Sequence, residues 1–329
     1  MDAEVLIIGA GLSGLSAARV LQAAGKKVLV IDKGRSVGGR MATRRIQNGL
    51  ADHGAQFFTA RTEVFQQTVG EWLVQGRVRV WSHGWSDGSL KRTAGDGHPR
   101  YISVGGMNAL TQHLAEGLNV RVNAQALSAR YDGDHWIVRY GDEGLLTASV
   151  LILTPPVPQS LRLLTEGNVE LHPDDRAALE RIEYGPCLCG LFVVEGDVNL
   201  PEPGALQNFD KLVYWVADNQ RKGISEQRII TTHTEARYSR AHYDDPDEDN
   251  LAFLTNDLKQ YLAPGAVIVE AQLKKWRYSV PLITHPFDCL AAQGLPLVFA
   301  GDAFGGQGRV EGAYMSGRAA GEAALGLLN

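Results

Sequence analysis

The chain has 329 residues, 44% hydrophobic and 21% charged, which excludes a disordered tail and leaves material for about two domains. Its 32 basic and 37 acidic residues give a net charge of −5, the wrong sign for a general nucleic-acid binder. Cys187, Cys189 and Cys289 supply neither a disulfide framework nor a four-ligand metal site, so no metal is expected and a reducing cytoplasm is the expected location.

The start, Met1-Asp2-Ala3-Glu4, is acidic where a secretory signal needs positive charge. Val5-Leu6-Ile7-Ile8 is a continuous apolar run, as a strand buried on both faces requires. Gly9-Ala10-Gly11 ends it. Leu15, Ala18 and Leu21 then recur at helical spacing up to Gly25, a natural helix stop. Glycines and Arg19 interrupt this stretch, so it is not a membrane span, and no membrane partner is expected. Val28-Leu29-Val30-Ile31 reads as a second buried strand, completing a βαβ unit with a parallel sheet.

Helical stripes follow at Phe65, Val69, Trp72 and Leu73, at Met107, Leu110 and Leu114, and at Leu251, Leu254, Leu258 and Tyr261. The acidic run from Asp244 to Asp249 reads as a solvated start to the last of these, favoured by the helix dipole. Strands are expected at 119–122, 136–140 and 150–154, before a Pro155-Pro156-x-Pro158 break. A later group at 188–194, 212–216, 228–233 and 267–276, with little helix between, suggests a mixed or antiparallel sheet. Residues 82–98 read as an exposed loop, 296–300 as a strand and 310–328 as a closing helix.

Gly9-x-Gly11-x-x-Gly14 sits between the first strand and helix. Gly9 permits the tight turn, Gly11 lets backbone approach a pyrophosphate, and Gly14 lets the helix pack close to the strand. The N–H groups of the first helical turn, including Leu12 and Ser13, then face the anion. Asp32 ends the second strand 21 residues after Gly11, where an acid accepts hydrogen bonds from ribose hydroxyls. The motif predicts a bound dinucleotide without separating NAD from FAD.

Six residues after Asp32 comes Gly38-Gly39-Arg40, a flexible turn and a cation beside the same pyrophosphate. This acid–x5–Gly-Gly-Arg pattern resembles the FAD signature of the flavin amine oxidase superfamily. Asp52-His53-Gly54-Ala55-Gln56-Phe57, Gly105-Gly106-Met107, Val120-Arg121-Val122, Leu153-Thr154-Pro155-Pro156, Phe299-Ala300-Gly301-Asp302 and Gly308-x-Val310-Glu311-Gly312-Ala313 resemble its further segments. The resemblance implies a discontinuous, GR2-type Rossmann-like FAD-binding α/β domain (1–60, 99–158 and 285–329). It implies also an α+β substrate domain on a mixed or antiparallel sheet (61–98 and 159–284). It implies FAD contacts by Gly9, Gly11, Leu12, Ser13, Gly14, Asp32, Lys33, Gly39, Arg40, Met41, Ala55, Gln56, Phe57, Val122, Thr154, Gly301, Asp302, Val310, Glu311 and Ala313. Phe304-Gly305-Gly306-Gln307-Gly308 has no cysteine, so the flavin is expected to be non-covalent.

Within the superfamily, Gly39-Arg40-Met41-x-Thr43, Asp218-Asn219-x-Arg221-Lys222 and Lys275-Trp276-Arg277-Tyr278-Ser279 resemble renalase and its bacterial relatives. That implies oxidation of misreduced NAD(P)H isomers to NAD(P)+, with hydride passing to flavin N5 and oxygen becoming hydrogen peroxide. The pocket would use Asn219, His233, Trp276 and Tyr278 to hold the nicotinamide ring. Tyr314 lies near the C-terminal flavin motif, but the two facing tyrosines of a monoamine oxidase cage are not identifiable. Amine or amino-acid oxidation is the alternative activity, and a non-catalytic FAD-binding protein the second. A nicotinamide-dependent dehydrogenase would leave Gly38-Gly39-Arg40 and Gly301-Asp302 without a use.

Overall fold

The computed structural model describes residues 1–86, 97–306 and 308–328. The chain forms two compact units: Met1–Arg40, Thr111–Glu183 and Pro281–Asn329 in the first, Met41–Leu110 and Tyr184–Val280 in the second. It enters unit 1 with β1 (Ala3–Ile8), α1 (Leu12–Ala23) and β2 (Val28–Ile31). Unit 2 then takes β3 (Thr43–Ile46), β4 (Gly49–Asp52), α2 (Glu63–Val74), β5 (Val78–Ser82) and β6 (Arg100–Ser103), and α3 (Met107–Ala115) carries the chain back. Unit 1 adds β7 (Val120–Arg121), β8 (Ala126–Tyr131), β9 (Trp136–Tyr140), β10 (Gly144–Leu153), α4 (Val157–Glu166) and α5 (Pro173–Glu180). Then come β11 (Glu183–Glu195), β12 (Ala205–Gln207), β13 (Val213–Asp218), β14 (Ile229–Thr234), α6 (Ala236–His242), α7 (Asp247–Leu258) and β15 (Val267–Ile283) of unit 2. The chain finishes in unit 1 with β16 (Leu290–Ala291), β17 (Leu297–Phe299) and α8 (Arg309–Leu327).

The sheet of unit 1 runs β16-β17-β10-β1-β2-β7. It is parallel from β17 to β7, with Ile8 in register between Ile31 and Leu153. The apolar runs of β1 and β2 are almost wholly buried, as a sheet covered on both faces demands. β10 changes partner along its length. Its first half alternates buried and open residues and pairs antiparallel with β9, while Val150–Leu153 is all buried and pairs parallel with β1. α8 lies close along α1 because its contact residues are glycines. A Cβ on Gly317 would come within 2.1 Å of the Ser13 carbonyl oxygen, and one on Gly321 within 2.8 Å of Val20 Cβ. Arg19, which breaks the apolar pattern of α1, donates to the carbonyls of His113, Leu114 and Glu116 and so closes the C-terminal end of α3.

Unit 2 is built on the sheet β12-β13-β14-β11-β15. Alternation along its strands makes two apolar faces. Phe192, Leu206, Val216 and Ile230 pack with Leu254, Leu258 and Tyr261 on one side. On the other, Cys189, Leu191, Val193 and Ile229 pack with Ile46 and Ala51 of the β3–β4 hairpin and with Trp276. The acidic run does open a helix, with Asp247, Glu248 and Asp249 in the first turn of α7.

The boundaries fall elsewhere than expected. Residues 41–60 and 99–110 cluster with unit 2, and 159–183 with unit 1. The β3–β4 hairpin contributes Ile46 and Ala51 to the unit 2 core, and Gly167, just after α4, lies against the Ala129 backbone of β8. The sequence pattern also misses β3 to β6, which are short strands without a long apolar run. Of the loop expected at 82–98, residues 87–96 lie outside the described residues.

Candidate functional site

In unit 1 the glycine motif has the predicted geometry. Gly9 stands at φ 107°, and a Cβ there would strike Thr154 Oγ1 at 2.3 Å. A Cβ on Gly14 would lie 1.9 Å from the Gly9 carbonyl oxygen, so this helix start tolerates only glycine. Gly11 caps α1 with no side-chain hydrogen bond, no acid occupies the first turn, and a Cβ on Gly11 would meet nothing within 4 Å. Beside it Ser13 Oγ is buried without a partner. A helix N-terminus with free amides, an unpaired hydroxyl and open room at its glycine fits a pyrophosphate.

Asp32 carries more structural work than expected. The N–H groups of Ala10 and Gly34 donate to its two oxygens at 2.7 and 2.6 Å, which ties β2 to the glycine turn. Each oxygen keeps a second lone pair for a ribose hydroxyl. Lys33 reaches out to Gln159 at 3.4 Å. Beyond β7, Asn123 and Ala124 donate to the carbonyls of Gly34 and Asp32 at 2.7 and 2.8 Å, setting Val122 between two tethered points. Thr154 Oγ1 donates to the carbonyls of Ile8 and Gly9, and Gly301 (φ 146°) donates to Ser316 Oγ at 2.9 Å.

Arg40, in a short helical turn with Gly39 (φ 53°), forks onto Asp302 with both contacts at 2.7 Å. Burial raises the Asp302 carboxyl above its usual value, and the Arg40 charge opposes that rise. The two residues expected to meet the cofactor separately are thus one bidentate pair. α8 begins at Arg309 (φ 68°), directly after Gly308 (φ 62°), with Val310 and Glu311 buried and Ala313 partly open in its first turns.

The remaining expected cofactor residues, Met41, Ala55, Gln56 and Phe57, belong to unit 2. Gln56 Nε2 donates to the Asp52 carbonyl at 2.7 Å, while its Oε1 is buried without a partner. Phe57 packs on Trp85 and Trp215, ring centroids 5.0 and 5.4 Å away.

Three of the four expected substrate residues converge on Asp52-His53. Trp276 Nε1 donates to the His53 carbonyl at 2.8 Å, and the two rings stack at 5.2 Å with 23° between planes. His233 also bonds to the His53 backbone, and its Nε2 is buried without a partner. Asn219 is fully buried, and its side chain is spent on its neighbours. Nδ2 donates to Ile229 O and Thr231 Oγ1, and Oδ1 accepts from Asp52 N. Asn219 thereby holds the Asp52 segment to β14. Tyr278 lies edge-on to Tyr184 at 5.6 Å.

The residues at the centre were not among the expected site residues. Asp52 and Lys222 form an ion pair at 2.6 Å with both side chains fully buried. Asp52 Oδ1 also accepts from Thr43 Oγ1 at 2.5 Å and from Met107 N at 2.9 Å, so it caps α3. Lys222 Nζ lies 5.0 Å over the Trp81 ring. Burial lowers the Lys222 ammonium below its usual range, against the pull of Asp52. Burial likewise lowers His53 to about 4 and His233 to about 3, so both imidazoles are neutral near pH 7. The available signal was charge inside otherwise apolar or turn sequence, at Asp52 and Lys222, which periodicity alone cannot pair.

Among the described residues no helix is long and apolar enough to cross a membrane, and no cluster of three or more His, Cys, Asp or Glu could hold a metal ion.

A model of the flavin containing amine oxidoreductases matches residues 73–325, and one of NAD(P)-binding Rossmann-like domains matches 7–72. An L-amino-acid oxidase of Sistrurus catenatus edwardsii is 38% identical over 66 residues, 20% of this chain and 13% of that protein. One of Echis ocellatus is 52% identical over 42 residues, 13% of this chain and 8% of that protein. The matched stretch is thus a small fraction of either relative's length. A putrescine oxidase structure with bound putrescine shares the fold, with a TM-score of 0.71, 17% identity and 99% coverage of both chains.

Proposed function

Because the chain belongs to the flavin containing amine oxidoreductase family and its cofactor is FAD, we propose that it is a renalase-like oxidase of misreduced NAD(P)H isomers. The amides of Leu12, Ser13 and Gly14 and the Arg40 cation would hold the pyrophosphate, and Asp32 the adenosine ribose. Val122, Thr154, Gly301, Asp302, Val310, Glu311 and Ala313 would complete the FAD contacts of unit 1. When bound, FAD supplies the hydride acceptor and the route by which oxygen is reduced to hydrogen peroxide.

The observation that carries the substrate reading is the neutral, flat platform of unit 2. The stacked rings of Trp276 and His53 offer a planar surface beside the neutral imidazole of His233. A dihydropyridine needs such a surface and no strong base, because it gains aromaticity on losing hydride. An alkylammonium must first lose a proton, and imidazoles titrating near 4 and 3 are far too weakly basic to take it at neutral pH. Asn219 and Lys222 act one step back, holding the backbone and carboxylate of Asp52.

Oxidation of an amine or amino acid is a second reading, favoured by the match to the flavin containing amine oxidoreductases over residues 73–325 and by the similarity to L-amino-acid oxidases. The flavin spectrum separates the two. Under anaerobic conditions an equilibrated mixture of NADH isomers should bleach the visible flavin band, and freshly purified NADH should not. Bleaching by putrescine or an L-amino acid, and not by the isomers, would establish the second reading instead.

A further inference from the structure

We infer that Lys274 and Arg44 form an anion-binding subsite for the phosphate groups of the substrate, an inference that rests on the dinucleotide reading above. The argument starts from alternation along β15. Residues two apart on a strand share a face and lie about 6.7 Å apart, so Glu270, Gln272, Lys274 and Trp276 make one row. Three members of the row have partners across from them. Glu270 bonds Gln47 at 2.7 Å, Gln272 bonds Arg44 Nε at 2.8 Å, and Trp276 bonds the His53 carbonyl at 2.8 Å.

Lys274, between the last two, forms no hydrogen bond or ion pair among the described residues. Its neighbour Lys275, on the opposite face, shows the contrast, with Asp247 at 2.7 Å. The charge that acts most on Lys274 is the Arg44 guanidinium, another cation. The Cys189 thiol also faces it, and burial keeps that thiol neutral by raising it well above its usual value. Glu270, the acid of the row, is hydrogen-bonded by the amides of Gln47 and Gln272 and attracts Arg44 only as a lesser, through-space influence with no contact between them. Two cations are therefore held side by side, one half-buried, beside an aromatic stack, in a chain whose net charge is −5. Like charges so placed repel, and an anion between them relieves the repulsion and gains charge-assisted hydrogen bonds. A flat ring on Trp276 and His53 with a phosphate at Lys274 and Arg44 is the outline of a nicotinamide nucleotide.

The test uses the FAD-loaded enzyme and the variants Lys274→Met, Lys274→Arg and Arg44→Gln. Inorganic pyrophosphate is titrated while tryptophan fluorescence is followed. Lys274→Met should weaken its binding about 10- to 100-fold, as expected for a lost charge-assisted contact, and Lys274→Arg should restore most of it. Equal affinity in wild type and Lys274→Met, or no binding to wild type at millimolar pyrophosphate, would overturn the subsite. In turnover, Lys274→Met should lower kcat/KM about tenfold more for the isomeric dinucleotide than for the phosphate-free dihydronicotinamide riboside. An equal loss on both substrates would also overturn it. Pyrophosphate binding that depends on Lys274, in an enzyme that oxidises neither substrate, would keep the subsite and dismiss the dinucleotide reading.

Discussion

Replacing Lys222 by Met tests the buried pair at the centre of unit 2. Lys222 Nζ and Asp52 Oδ2 lie 2.6 Å apart with neither side chain exposed. In the variant Asp52 keeps its hydrogen bonds from Thr43 and Met107 but loses its only buried countercharge among the described residues. Removing one partner of such a pair costs about 3–5 kcal/mol, because the other charge stays desolvated. Asp52→Asn removes the countercharge of the ammonium instead, leaving it an amide oxygen as acceptor and the Trp81 face. Burial already lowers Lys222, so the folded form of Asp52→Asn binds its proton more weakly than the unfolded chain. Its stability deficit should therefore shrink as pH rises from 7 toward 10. The double variant should lose about 1–3 kcal/mol less than the two single losses summed. Urea unfolding followed by tryptophan fluorescence measures all three, with Trp81 close to the change. A Lys222→Met variant within about 1 kcal/mol of wild type, or strictly additive losses, would refute the claim that the pair is charged and coupled. Asp52 also binds Asn219 and Thr231 through its backbone, so turnover should fall along with stability.

The glycine motif separates folding from cofactor binding. Gly14→Ala should destabilise the protein by more than about 2 kcal/mol, since its Cβ would sit 1.9 Å from the Gly9 oxygen. Gly11→Ala, which meets nothing within 4 Å, should leave the FAD-free melting temperature nearly unchanged while FAD affinity, read by fluorescence quenching, falls about 100-fold. His53 and His233, lowered to about 4 and 3, stabilise the fold fully above pH ~6.5, the unfolded value, and that stability is lost as pH falls through 4 and 3. Each contributes up to about 1.4 kcal/mol per pH unit in that window. Urea midpoints for His233→Asn should show a correspondingly shallower acid loss, and a slope equal to wild type would contradict the buried neutral imidazole. Trp276→Phe keeps a ring and drops the donor to His53, so KM for the isomeric dinucleotide should rise several-fold, corresponding to about 1 kcal/mol. An unchanged KM would remove Trp276 from the platform.

What could be read from one dimension was local. The run Val5-Leu6-Ile7-Ile8, the spacing of Gly9, Gly11 and Gly14, and Asp32 at the end of the next strand specify a βαβ turn, because each constraint acts within one or two elements. The same holds for the acid-led start of α7 and the closing helix α8. The short hairpins were not legible, since strands of four residues carry too little periodicity to stand out. Nor were the division between the units and the joining of Arg40 to Asp302, 262 residues apart. The pairing of Asp52 with Lys222, 170 residues on, and the row that leaves Lys274 beside Arg44, were decided by tertiary structure alone. A charge in a sequence shows neither its burial nor its partner. Both depend on which strands become neighbours, and long-range contacts set that.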